Sequence, residues 1–223
     1  MIVRVLALLF LLLPSIAVAD GIPVVVQLEG SALLPIGTWA DSPVNGDESI
    51  FSPGPGGRLS VGFSPRQSRI FTVGVEGGYT LLGTYDWESS TARRGMRVDA
   101  EAQLWSFAAF GTLTLPGRGA GPWAFELFGA LGVLLPEGGE RVDGERYEYE
   151  FLRSTLLGRL GARGLLRFGG GWEAWAGAHF SVAPGAVRHE RAHPSWGERV
   201  GNRERRSLTA VEPGLGLRYW FNL

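Results

Sequence analysis

The sequence predicts an all-β chain whose eight antiparallel strands close into an up-and-down transmembrane β-barrel. Three observations carry this expectation: apolar residues recur at every second position, connections alternate between short and long, and a secretion leader opens the chain. In the leader, Arg4 supplies a positive start and Val5 to Leu13 an apolar run. Ala17-Val18-Ala19 forms a small-residue cleavage site before Asp20. The run is well short of the ~20 residues a spanning helix needs. Residues 1–19 are thus read as a signal peptide, leaving 223 − 19 = 204 residues, 20–223, as one barrel domain.

Composition bounds the possibilities. The chain has no Cys, which excludes a disulfide framework and a lipoprotein acceptor thiol. A formal net charge of −1 offers no electrostatic case for nucleic acid. Glycines number 34 and aromatics make up 11%, which suits strands that pack closely and girdles at a membrane interface.

The clearest strand ends the chain. Thr209, Val211, Leu215, Leu217, Tyr219, Phe221 and Leu223 share one parity with Pro213, while Glu212, Gly214, Gly216, Arg218, Trp220 and Asn222 share the other. The same test finds the remaining strands in order. Val24 to Leu34 is apolar on its even positions, and Arg58 to Phe63 is short, with glycines before it. Phe71 to Leu81 alternates against Thr72, Glu76 and Thr80. From Val98 to Phe110, the row Val98, Ala100, Ala102, Leu104, Ala108 and Phe110 is expected to face out, opposite Asp99, Glu101 and Gln103. Trp123 to Leu135 carries the cleanest apolar row. Leu152 to Phe168 sets Leu152, Leu156, Leu160, Leu166 and Phe168 against Arg153, Arg159, Arg163 and Arg167. Trp172 to Ser181 sets Trp172 and Phe180 against Glu173, His179 and Ser181.

Residues 64–68, 116–122 and 169–171 form short connections, whereas 37–57, 86–95, 136–148 and 184–206 form longer, polar ones. Short periplasmic turns alternating with long outer loops place both termini in the periplasm. Phe63, Phe71, Phe110, Trp123, Phe168, Trp172 and Phe221 are then expected in the periplasmic girdle, with Tyr79, Tyr85, Trp87 and Phe180 at the outer interface.

On this strand pattern and loop alternation the mature chain resembles the small outer-membrane barrels, similar to the membrane domain of outer membrane protein A and to outer membrane protein W. Leu223 stands where a C-terminal aromatic is usual, with Phe221 two residues earlier. The resemblance implies a monomer in the bacterial outer membrane, in contact with outer-membrane lipid and lipopolysaccharide and delivered by the barrel-assembly machinery. It implies no cofactor, and its outer membrane protein W side suggests a narrow channel for small solutes.

The polar parity places Glu29, Glu76, Asp99, Glu101, Glu126, Glu173 and Glu212 in the lumen, with Arg58, Arg153, Arg159, Arg163, Arg167 and Arg218. Eight strands leave a bore that side chains fill, and charges in it must be paired. A plug of Arg–carboxylate pairs is the favoured reading over a charge-lined path. The last long loop is rich in arginine, and Arg188, Arg191, Arg199, Arg203, Arg205 and Arg206 are candidates for lipopolysaccharide phosphates. Its neighbour, with Glu137, Glu140, Asp143, Glu145, Glu148 and Glu150, offers pairing partners across the rim.

Two motifs raise catalysis. His189-Glu190-Arg191-Ala192-His193 matches the H-E-x-x-H zinc pattern, but Pro194 disfavours the helix that would aim both His at one metal. His179-Phe180-Ser181 resembles the His-x-Ser of outer-membrane lipid A deacylases, yet Val182-Ala183-Pro184 departs from their pattern and parity turns the pair inward. The expected function is therefore non-enzymatic, an envelope structural or surface-interaction barrel with no metal. A narrow channel is the first alternative and an outer-membrane hydrolase the second.

Overall fold

The computed structural model describes residues 21–37, 53–65, 69–89, 96–117, 121–142, 145–148, 154–188 and 205–222. Their strands are β1 (Pro23–Pro35), β2 (Gly54–Phe63), β3 (Phe71–Ser89), β4 (Met96–Pro116), β5 (Trp123–Val142), β6 (Glu145–Glu148), β7 (Thr155–Gly169), β8 (Trp172–Arg188) and β9 (Arg205–Asn222). All except β6 form the ring. Each pairs antiparallel with its neighbour in the chain, and β1 closes the barrel on β9 with Val24 opposite Phe221 and Leu28 opposite Leu217. β6 folds back on the far end of β5, Gly139 opposite Glu148. The eight-stranded meander predicted from parity is the fold observed.

Strand edges run further than the sequence suggested. β4 has 21 residues and β5 has 20, about twice the 9–11 a strand needs to cross a bilayer. Much of the expected loops 86–95 and 136–148 is thus strand. β8 continues to Arg188 and β9 begins at Arg205, so the loop 184–206 is shorter than its polar composition implied. At the other end the turn between β7 and β8 is three glycines, Gly169, Gly170 and Gly171, with φ of 90°, 59° and 86°. Residues with a Cβ rarely adopt that left-handed backbone, which fits glycine at every position of the turn.

The outer face is a continuous apolar surface. Leu28, Leu59, Leu131, Leu160, Leu215 and Leu217 leave half or more of their area open, and Trp123, Phe71, Phe168 and Trp172 stand open beside the short turns. One strand corrects the expected parity. On β4 the even positions Ala102, Leu104 and Ala108 are buried in the lumen, and Trp105, Leu113 and Leu115 face out. Phe110 follows them inward and stacks on Phe128 at 6.0 Å, so it leaves the periplasmic girdle. The cause is that β4 is apolar on both faces: Trp105, Phe107 and Ala109 are as apolar as the row between them, and parity alone cannot rank two apolar rows.

The lumen divides along its length. In the half beside the short turns, charged and polar side chains fill it together with Phe128 and a small buried cluster of Ala124, Leu165 and Trp175. In the half beside the long loops, a buried cluster of Leu33, Leu82, Ala102, Leu104, Leu134, Leu157, Ala183, Ala186, Leu208 and Ala210 fills it instead.

Candidate functional site in the lumen

Among the described residues, seven strands of the ring deliver charge to the bore, and the pleat delivers it at alternate positions. β7 contributes most: Arg159, Arg163 and Arg167 share its inward parity, and the first two are almost wholly buried. Opposite them stand Glu29 of β1, Arg58 of β2, Glu76 of β3, Glu126 of β5, Glu173 of β8, and Glu212 and Arg218 of β9.

These groups form one chain of alternating sign. Arg159 pairs Glu76 through Nη1 and reaches Glu212 at 3.6 Å through Nε. Arg58 joins Glu212 through Nη2 to Glu29 through Nη1. Arg163 continues from Glu29 at 3.4 Å to Glu126 at 3.5 Å. Arg218 links Glu126 at 2.6 Å to Glu173 at 2.5 Å, and Arg167 ends the run on Glu173 at 3.1 Å. Every group between Glu76 and Arg167 therefore touches two partners of opposite sign. An unpaired ion in this bore would cost several kcal/mol, and the alternation leaves none of these groups alone. The planar guanidinium suits the arrangement, because separate nitrogens of one side chain reach carboxylates on different strands.

Neutral groups complete the network. Trp220 Nε1 donates to Glu173 at 3.0 Å, Thr114 Oγ1 to Glu126 at 3.2 Å, and Arg163 Nη1 donates to Gln27 at 3.2 Å. The Arg163 guanidinium lies over the Phe128 ring at 4.3 Å and the Trp175 ring at 4.0 Å, where the ring faces favour a cation. Arg163 is thus the hub of the ladder. Trp220 lies between Arg218, at 5.6 Å, and Arg69 of the adjoining turn, at 5.0 Å.

His179 and Ser181 lie in this network. The ring Nε2 lies 3.0 Å from Arg163 Nε, and Nδ1 lies 3.3 Å from Arg58 Nη1 and 3.7 Å from Glu29. Gly161 makes the ring's place, since a Cβ there would fall 2.3 Å from His179 Cδ2. Ser181 Oγ donates to Glu212, and Arg159 Nε donates to Ser181 at 3.3 Å. Both ring nitrogens face arginines, and the hydroxyl proton points at a carboxylate. This geometry holds a barrel together and does not set up proton transfer from serine to histidine.

Of the lumen residues predicted from parity, the structure brings together Glu29, Arg58, Glu76, Glu126, Arg159, Arg163, Arg167, Glu173, Glu212 and Arg218. Register sets Asp99 opposite Asp86 and Arg141, and Glu101 opposite Gly139, on the long part of β4; the side chains of both lie outside the described residues. Arg153, the motif at 189–193, and Arg191, Arg199 and Arg203 lie outside the described residues. Arg188 stands opposite Arg205 in register, and Val187 opposite Arg206. Among the described residues no group of three or more His, Asp or Glu is placed to hold a metal.

Sequence reasoning missed Gln27, Phe128 and Trp175 around the hub, and the apolar cluster altogether. A signal for the cluster is present. Leu33-Leu34, Leu81-Leu82, Leu134-Leu135 and Leu156-Leu157 are doubled leucines, and in each pair one residue faces out while its neighbour is buried in the lumen. An apolar run without alternation marks a strand covered on both faces.

No family model and no curated protein sequence matches this chain. Solved structures do. Neisserial surface protein A aligns over 89% of this chain and 97% of its own, with 15% identity and a TM-score of 0.53. A major outer membrane protein from Thermus thermophilus aligns over 89% and 99%, with 12% identity and a TM-score of 0.51. The shared property is the fold of a small outer-membrane β-barrel.

Proposed function

We propose that the protein is a closed barrel of the bacterial outer membrane, with both termini in the periplasm, that serves envelope structure or surface interaction and catalyses nothing. The observation that carries this reading is the alternating ladder from Glu76 to Arg167, which fills half of the bore with groups that satisfy one another. The apolar outer face supports a lipid setting, because leucines half exposed or more, such as Leu131 and Leu160, are costly in water and at home among acyl chains.

The long β3, β4 and β5 support the surface role, since strand beyond the crossing length raises a sheet at the loop end. At the neighbouring rim, register sets Arg188 opposite Arg205, with Arg206 next along the strand, and like charges directly opposite favour an anionic partner. Lipopolysaccharide phosphate is the partner we assign to them, together with Arg191, Arg199 and Arg203 of the connecting segment.

The test is a deletion strain. Loss of the protein should raise sensitivity to detergents, and the unsubstituted gene should restore resistance. A gene carrying Arg188→Gln, Arg205→Gln and Arg206→Gln should restore less. Unchanged sensitivity in the deletion strain would overturn the structural role.

A further inference from the structure

We propose that the apolar layer in the loop half of the barrel, and not the ion-pair ladder, is the barrier that seals the lumen against water and ions. The inference rests on the closed-barrel reading above and assigns the closure to a place.

The layer is a complete disc. Leu33 comes from β1, Leu82 from β3, Leu104 from β4, Leu134 from β5, Leu157 from β7, Ala183 from β8 and Leu208 from β9. Among the ring strands only β2 adds no side chain, and its inward positions at this height are Gly54 and Gly56. A cluster drawn from one wall would leave a path beside it; a disc drawn from the whole circumference leaves none. No member keeps more than 5% of its surface open.

Chemistry separates this disc from the ladder beneath it. Ladder groups hold one another by hydrogen bonds and charge, and bridging water also makes hydrogen bonds to such groups. The polar half also contains Thr72 Oγ1, Thr112 Oγ1 and Trp175 Nε1, buried atoms that make no hydrogen bond among the described residues and are of the kind water can satisfy. At its short-turn end the Arg167 side chain is 41% exposed to solvent. Hydration therefore has both an entry and partners in the ladder half. In the disc an entering ion meets leucine and alanine, with polar groups confined to Ser31 and Thr80 beside Gly56 at its edge, and sheds most of its water with little in return.

The test is potassium efflux from phosphatidylcholine vesicles loaded with the full mature chain, folding being verified by circular dichroism and heat-dependent gel mobility. The unsubstituted protein should hold its gradient. Leu104→Ser with Leu157→Ser should release it, and Leu104→Ala with Leu157→Ala should do the same if the serine pair fails to fold. Leu157→Met, which conserves volume, should stay tight. Glu76→Gln with Arg159→Gln breaks the ladder's inner end and should also stay tight. Efflux through the glutamine pair, or a tight vesicle with a folded, opened disc, overturns the seal. Efflux through the unsubstituted protein overturns the closed-barrel reading beneath it.

Discussion

Arg163 and Leu157 point into the same bore from the same strand, and their surroundings have nothing in common. Arg163 is held by Glu29, Glu126, Gln27 and His179 and lies against two rings. Leu157 belongs to a cluster made only of leucine and alanine. The ladder is a set of particular partners, so removing one strands another. The disc is a volume, and what matters there is that it stays full and apolar. One half therefore concentrates its stabilisation in a few groups, and the other spreads it.

Four substitutions sharpen this difference, each read by urea unfolding in phospholipid vesicles. Arg163→Ala should cost most, about 3–5 kcal/mol, because Glu29 and Glu126 each lose a partner in the interior. Leu157→Ala should cost about 3 kcal/mol, the usual loss for a buried leucine truncated in a packed site. Leu157→Met, which keeps the volume, should cost under about 1.5 kcal/mol. Arg167→Ala should cost least, below about 1 kcal/mol, since its side chain is 41% exposed at the end of the ladder. A loss at Arg167 equal to that at Arg163 would erase the distinction between hub and terminus.

The barrel and its ladder were legible because alternation is strict where one face meets lipid and the other meets charge. Arg159, Arg163 and Arg167 against Leu156, Leu160 and Phe168 leave a single reading of which face is which. Legibility failed where both faces are apolar. Along β4, Leu104 and Trp105 are equally suited to either side, so parity lost its sign and carried Leu104 and Phe110 to the wrong face. The disc was hidden for the same reason, since a doubled leucine such as Leu33-Leu34 reads as a strand end until closure of the ring supplies a second apolar environment. Partner choice within the ladder was not legible either. Glu212 meets Arg58 and Arg159 because ring closure sets β9 one strand away from both β2 and β7, and spacing along the chain does not record that.

The most direct test of a closed lumen is single-channel recording of the purified, folded protein in a planar bilayer, with insertion verified independently. A lumen filled by the ladder and the disc predicts a silent membrane at every applied voltage. Steady, resolved openings from the unsubstituted protein would contradict it.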